Sequence, residues 1–275
     1  MPSEGIEPPT FAFEARRSNP LNYEGVGESV HEFEAGGLPR KGPMNASPGQ
    51  PRSGFQDRAQ AGRSLAQLLG RYSSRDDVVV FGLPRGGVPV AFEIAKALHA
   101  PLDFIVVLKL ALARHPELAL GAVAADGSHV VNDELVQRLG ISQNVIDAAL
   151  AEARAQLPGR IRALREDRHA IDVVGAIVVL ADDGLATGAS MRAAIACVRN
   201  QNPARVVVAV PVAAREAADS IRELVDDFVC VDCPASFVSV GNWYDSFAQV
   251  GDDDVRSLLK QASRFRETAD GGQRS

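Results

Sequence analysis

The chain has 275 residues, 46% hydrophobic and 23% charged, enough to bury a substantial core in one or two domains. Its net charge of −6 weighs against non-specific binding to nucleic acid or to an anionic membrane as the main activity. No apolar run approaches the roughly 20 residues that span a bilayer, the first residues lack a charged segment followed by an apolar one, and three cysteines fit a reducing, cytoplasmic setting.

Residues 1–53 carry recurrent prolines and glycines (Pro8, Pro9, Gly36, Gly37, Pro39 among them) and no sustained helix or strand period. They read as a disordered extension, in which Met44 offers an alternative start. A folded domain is expected over 54–264, with a polar tail over 265–275. Asp57 can cap a helix reaching about Tyr72, since Leu65, Leu68 and Leu69 share a face. The apolar run Val78–Phe81 predicts a short buried strand. It ends in Gly82-Leu83-Pro84-Arg85-Gly86-Gly87, and a helix follows from near Val88 with Pro89 in its first turn. Leu102–Val107 predicts the next strand, followed by Lys109 and a loop from Leu110 to Leu120. Val123–Val131 can fold as a hairpin about Asp126-Gly127. Ser142 caps a predicted helix over Gln143–Leu157, which Pro158-Gly159 should break or kink.

Ile177–Leu180 is a β-branched run too short for a helix, and a helical pattern resumes after Met191 with Ile195 and Val198 on one face. Further on come strand Val206–Val210, helix Arg215–Val225, strand Phe228–Val231, an aromatic-rich loop Phe237–Phe247 and a helix over Asp254–Ala262. Cys230 and Cys233 have C-x-x-C spacing, but a structural zinc needs a second pair, so they read as strand residues. Strands alternating with helices predict an α/β fold with a central parallel sheet. Ligands in such sheets lie beyond the carboxyl ends of the strands, where the strand order reverses.

The stretch between the 177–180 strand and its helix carries the chemistry. Asp182 and Asp183 stand side by side, followed by Gly184, Ala186, Thr187, Gly188, Ala189 and Ser190. A strand, a glycine-bearing turn and a helix N-terminus form an anion site from unpaired first-turn amides and the helix dipole. A lone Asp-Asp-Gly would be no more than an acidic helix start. Two acids at the lip of a pure phosphate site would repel its ligand, and neither a Gly-Lys-Ser/Thr loop nor a G-x-G-x-x-G fingerprint is present. Amides for a phosphate and carboxylates for adjacent hydroxyls together describe a ribose 5-phosphate. The Arg85-Gly86-Gly87 turn, from a neighbouring strand end, adds close amides and a guanidinium for further phosphate oxygens.

The whole string resembles the phosphoribosyl-pyrophosphate signature of type I phosphoribosyltransferases, and the resemblance spans roughly Phe55 to Ala262. It implies a parallel sheet flanked by helices with a small C-terminal hood. The implied reaction moves a 5-phosphoribosyl group from phosphoribosyl pyrophosphate to a nitrogenous base, a purine being one option, and releases pyrophosphate with Mg²⁺. It implies Thr187, Gly188, Ala189 and Ser190 on the 5-phosphate, Asp182 and Asp183 on the ribose hydroxyls and the metal, and Arg85, Gly86, Gly87 and Lys109 at the pyrophosphate. Relatives often have two adjacent basic residues where this chain has Leu108 and Lys109, and often a cis or strained peptide at the place of Pro84–Arg85. The loop 110–120, with His115 and Glu117, matches a mobile lid. Phe237 or Trp243 would stack on the base. The partners expected are small molecules, without nucleic acid or membrane, and a homo-oligomer, as a dimer, is the expected assembly. Two alternatives stay open: a regulator that senses phosphoribosyl pyrophosphate without turnover, and a phosphatase or hydrolase using one of the acids as nucleophile.

Overall fold

A computed structural model describes residues 54–73, 75–112, 115–166 and 168–265. The N-terminal extension over 1–53 and the tail from 266 lie outside the described residues, as do the side chains of His115 and Glu117.

Five parallel strands form the main sheet: β1 (Val78–Gly82), β2 (Leu102–Phe104), β6 (Ile177–Ala181), β7 (Arg205–Val212) and β8 (Asp227–Asp232). Three more, β3 (Val107–Leu112), β4 (His115–Ala124) and β5 (His129–Val131), make a separate antiparallel sheet. In the main sheet the order is β2-β1-β6-β7-β8. Growth runs one way from β1 to β2 and the other way from β6 to β8, so the reversal falls between β1 and β6. Every residue of β1 and β6 is buried, which explains runs apolar on both faces rather than alternating. Val78 to Gly82 pair in register with Ile177 to Ala181, so the two turns that follow leave the sheet side by side.

One face of this sheet carries α1 (Arg58–Leu68), α2 (Gly87–Leu98) and α7 (Asp252–Ala262), packed over Val78, Val80, Ile177 and Val179. The other carries α5 (Ala189–Arg199) and α6 (Arg215–Arg222), packed over Val79, Phe81, Val178 and Leu180. Helix α1 starts where expected, its first turn closed by the Gln60 amide donating to Asp57 Oδ1 at 2.7 Å. The turn at Asp126-Gly127 forms as predicted, with Gly127 at φ 87°.

Several elements differ from the sequence reading. Of the segment 110–120, Leu110–Leu112 and His115–Leu120 are strand residues of β3 and β4, continuous with Lys109 and Ala122, rather than a loop. An additional helix, α3 (Asp133–Leu139), has no counterpart in that reading; none of its residues is fully buried, so it has little apolar periodicity to betray it. Helix α4 is unbroken over Gln143–Arg165, with Pro158 inside it. Its buried residues Ile146, Leu150, Ala153, Leu157 and Leu164 keep one face on both sides of the proline. That continuous stripe outweighs the one backbone bond the proline removes. Phe265, placed in the polar tail by sequence, packs its ring 5.3 Å from that of Phe92.

Candidate active site

The turn after β1 and the turn after β6 meet at the point where the strand order reverses. Gly87 is pressed against the end of β6: a Cβ there would lie 2.7 Å from the Ala181 carbonyl oxygen and 2.9 Å from Asp182 Oδ1. A Cβ on Gly86 would overlap the Asp183 carboxylate. Only glycine fits at either position, because part of each obstruction is backbone or a carboxylate that is itself held. The Pro84–Arg85 peptide between these elements is cis.

The acids are not equivalent. Asp183 Oδ2 accepts from Arg58 Nε at 2.8 Å, both side chains being only 16% and 11% exposed. Its backbone carbonyl accepts from the Tyr244 hydroxyl at 2.7 Å. Asp182 Oδ1 accepts from the Asp183 amide at 2.9 Å. Burial, reinforced by the adjacent Asp183 charge, holds the Asp182 carboxyl well above the usual carboxylate range; Arg58 and Lys109 pull the other way. Burial also raises Asp183, against the hydrogen bond and charge of Arg58. The pair is short of positive charge.

Beyond the acids, Leu185 is tied to the end of β7: its amide donates to the Val212 carbonyl and its carbonyl accepts from the Ala214 amide. Gly184 faces Val240, whose Cγ1 would meet a Cβ at 2.8 Å. The chain then turns at Gly188, with φ 72°, which serves as the N-cap of α5. A residue with a side chain would be strained there. Ala186, Thr187, Ala189 and Ser190 line a cleft of about 540 Å³. Its other walls are Lys109 and Gly121 from the hairpin, Asn132, Glu134 and Arg138 around α3, and Arg192 from α5. The first-turn amides of α5 have no intrahelical carbonyl to bond, and the Ala189 amide donates to Thr187 Oγ1 at 3.5 Å.

Most of the predicted site residues are therefore neighbours. Two make contacts of their own. Arg85 pairs at 3.8 Å with Asp252 of α7, which also holds Arg160 at 2.8 Å. Trp243 packs in a small cluster with Phe55, Ala61, Val240 and Tyr244. Phe237 is half-buried in the segment after β8.

A family model for the phosphoribosyl transferase domain matches residues 123–245. Two Mycobacterium tuberculosis proteins provisionally named phosphoribosyl transferases, from strains CDC 1551 and H37Rv, are 43% identical over 210 residues, covering 76% of this chain. The crystal structure of TT1426 from Thermus thermophilus superposes with a TM-score of 0.62 at 39% identity, over 75% of this chain and 98% of that one. The chain belongs to the phosphoribosyl transferase family. It spans about half the length, 47%, of the two curated relatives.

The fold adds Arg58 and Tyr244, which touch Asp183, and Asn132, Arg138 and Arg192, which line the cleft, none of them marked by the sequence. Arg58 sits in the first turn of a helix and Tyr244 in an aromatic cluster. Both look like ordinary surface or packing residues until the fold joins them. The Asp57-Arg58 and Tyr244-Asp245 pairs in the sequence were the available signals, and neither has intrinsic specificity. Among the described residues no helix is long and apolar enough to cross a membrane.

Proposed function

We propose that this chain transfers a 5-phosphoribosyl group from phosphoribosyl pyrophosphate to a nitrogenous base and releases pyrophosphate. The observation that carries this reading is the contact of Gly86 and Gly87 with the Asp182-Asp183 pair, a few residues before the N-terminus of α5 and the cleft that Thr187 and Ser190 line. Amides and hydroxyls of Thr187, Gly188, Ala189 and Ser190 take the 5-phosphate. The carboxylates accept from the ribose hydroxyls and favour positive charge growing on the ring as the anomeric carbon–oxygen bond breaks. The electron pair of that bond leaves with pyrophosphate, near Lys109, the Gly86 amide and Gly87, whose own amide donates to the Leu83 carbonyl at 2.9 Å, while the base nitrogen bonds to the same carbon and gives its proton to water. Phe237 is assigned to stack on the base, since Trp243 is engaged in packing.

The donor set suits Mg²⁺. Two under-neutralised carboxylates are hard oxygen ligands, and Mg²⁺ commonly takes one or two of these and completes its shell with phosphate oxygens and water. Among the described residues no three His, Cys, Asp or Glu side chains cluster to hold a metal unaided, which fits an ion that arrives with its phosphate ligand. Asp182 and Asp183 would hold it, and it would neutralise charge on the departing pyrophosphate.

A sensing role without turnover is the second reading, favoured by Leu108. That side chain is apolar and packs, partly buried, against the core, so it brings no charge to the place where relatives often carry another cation. Pyrophosphate release is followed across a panel of purines and pyrimidines with phosphoribosyl pyrophosphate and Mg²⁺. Base-dependent release supports transfer. Saturable binding without release selects the sensor, and phosphate release without any base would overturn both in favour of a hydrolase.

A further inference from the structure

Two stretches far apart in the sequence are joined over the diacid. The Phe55 amide donates to the Trp243 carbonyl at 2.7 Å, the Asp245 amide to the Phe55 carbonyl at 2.8 Å, and the Ser246 amide to the Gln56 carbonyl at 2.9 Å. This short parallel zipper delivers Arg58 and Tyr244 to the same aspartate from opposite ends of the domain. The Arg58 guanidinium stacks 3.8 Å from the Phe247 ring centroid, and its Nη1 donates to the Ala248 carbonyl at 2.8 Å. Phe247 in turn packs 5.0 Å from Tyr244. Arg58 therefore has its plane fixed by a ring and a carbonyl while its Nε is aimed at Asp183 Oδ2.

Such a guanidinium does more than neutralise charge. A carboxylate in a turn can rotate about its terminal bond, and a fixed donor on one oxygen selects the rotation that presents the other oxygen outward. Tyr244 fixes the same residue's backbone. Gly86 passes directly over the pair, its missing Cβ leaving the space for it; Arg58 Nε would be 3.3 Å from that atom.

We infer that Arg58, backed by Tyr244 and Phe247, is a positioning residue for Asp183, and that residues 243–248 form a clamp on the diacid. This rests on the proposed binding of a ribose diol at Asp183, and it assigns the conspicuous aromatic segment to the sugar half of the site.

Isothermal titration tests it, using the full chain with phosphoribosyl pyrophosphate plus Mg²⁺ and, separately, inorganic phosphate without metal. Arg58→Ala should weaken the sugar ligand about tenfold or more, the loss of one charge-assisted hydrogen bond and its geometry. Inorganic phosphate, which has no diol, needs no metal and goes to the Thr187–Ser190 loop, should bind as in the wild type. Tyr244→Phe keeps the ring packing and removes only the hydroxyl bond, and about a threefold loss is expected for the sugar ligand alone. Arg58→Lys can serve Asp183 or Ala248 but not both, and should recover only part of the affinity. If Arg58→Ala does not fold, Tyr244→Phe and Arg58→Lys decide. Equal weakening of both ligands would reduce Arg58 to a structural role and overturn the inference, as would wild-type affinity in the variants. Failure of the wild type to bind phosphoribosyl pyrophosphate would instead overturn the functional reading beneath it.

Discussion

Gly87 lies so close to Asp182 that a Cβ on the glycine would sit 2.9 Å from both Cα and Oδ1 of the aspartate. The turn after β1 and the turn after β6 are thereby held at backbone contact, and their separation cannot grow without disturbing the acids. Gly87→Ala should force the two turns apart. Turnover should fall about a hundredfold, the scale of an ångström-sized misplacement of reacting groups. Stability should fall by about 1–3 kcal/mol from overpacking. Pyrophosphate release and denaturant unfolding measure the two effects.

Asp183→Asn is the direct test of the acid that Arg58 holds. From sequence, a loop residue of this kind is expected to lower turnover with little loss of fold. The structure adds a cost, because the nearly buried Arg58 would lose its carboxylate partner. Turnover should drop by about two orders of magnitude, with about 1–3 kcal/mol of stability lost as well. Unchanged kinetics would remove Asp183 from the reaction.

The diacid also has a pH signature. The folded-state proton affinity of Asp182 is raised by burial and by Asp183, so between the ordinary carboxylate value and the raised one the native state binds more protons than the unfolded chain. Stability from this group is complete below the unfolded value of 3.8 and is lost as pH rises through the folded one. Asp182→Asn keeps an oxygen for the Asp183 amide but cannot ionise. Its melting temperature should exceed that of the wild type near neutrality, and the difference should close as pH falls. A constant difference across pH would contradict the buried, under-neutralised pair.

Asp103 is a carboxylate of another kind. It is 1% exposed and accepts from Arg165 Nη1 at 3.0 Å, from the Ile171 amide at 3.1 Å and from the Phe104 amide at 2.9 Å. It ties α4 and the chain before β6 to β2. Asp103→Ala would leave Arg165 without its carboxylate partner and two amides unpaired, and should cost about 3–5 kcal/mol. Ligand affinity per folded molecule should be unchanged.

Pro158 stands exposed inside α4. Replacing it by alanine restores a backbone donor and removes a poor helix former, and should stabilise the fold by about 1–2 kcal/mol after allowing for the freer unfolded chain. Chemical denaturation is sufficient to see it.

What could be read from the residues alone follows a physical division. Strands such as Val78–Gly82 and Ile177–Ala181 are apolar on both faces because helices cover both, and such runs announce themselves. The Asp182–Ser190 string is equally plain, since its chemistry is local and contiguous. The 110–120 segment misled because a hairpin with a register irregularity near Ala111 lacks clean alternation. Pro158 misled because a local rule was outweighed by a tertiary stripe. Arg58 and Tyr244 could not be found at all: neither forms a motif, and only a pairing between distant segments makes them part of the site.

That pairing bears on the order of events during synthesis. Arg58 reaches Ala248 across 190 positions of chain, so the aspartate it orients stays unsupported until nearly the whole domain has left the ribosome. Competence for ligand should therefore switch on late and abruptly, since nascent chains ending before Trp243 lack both the residues that orient the aspartate and α7, which covers the sheet.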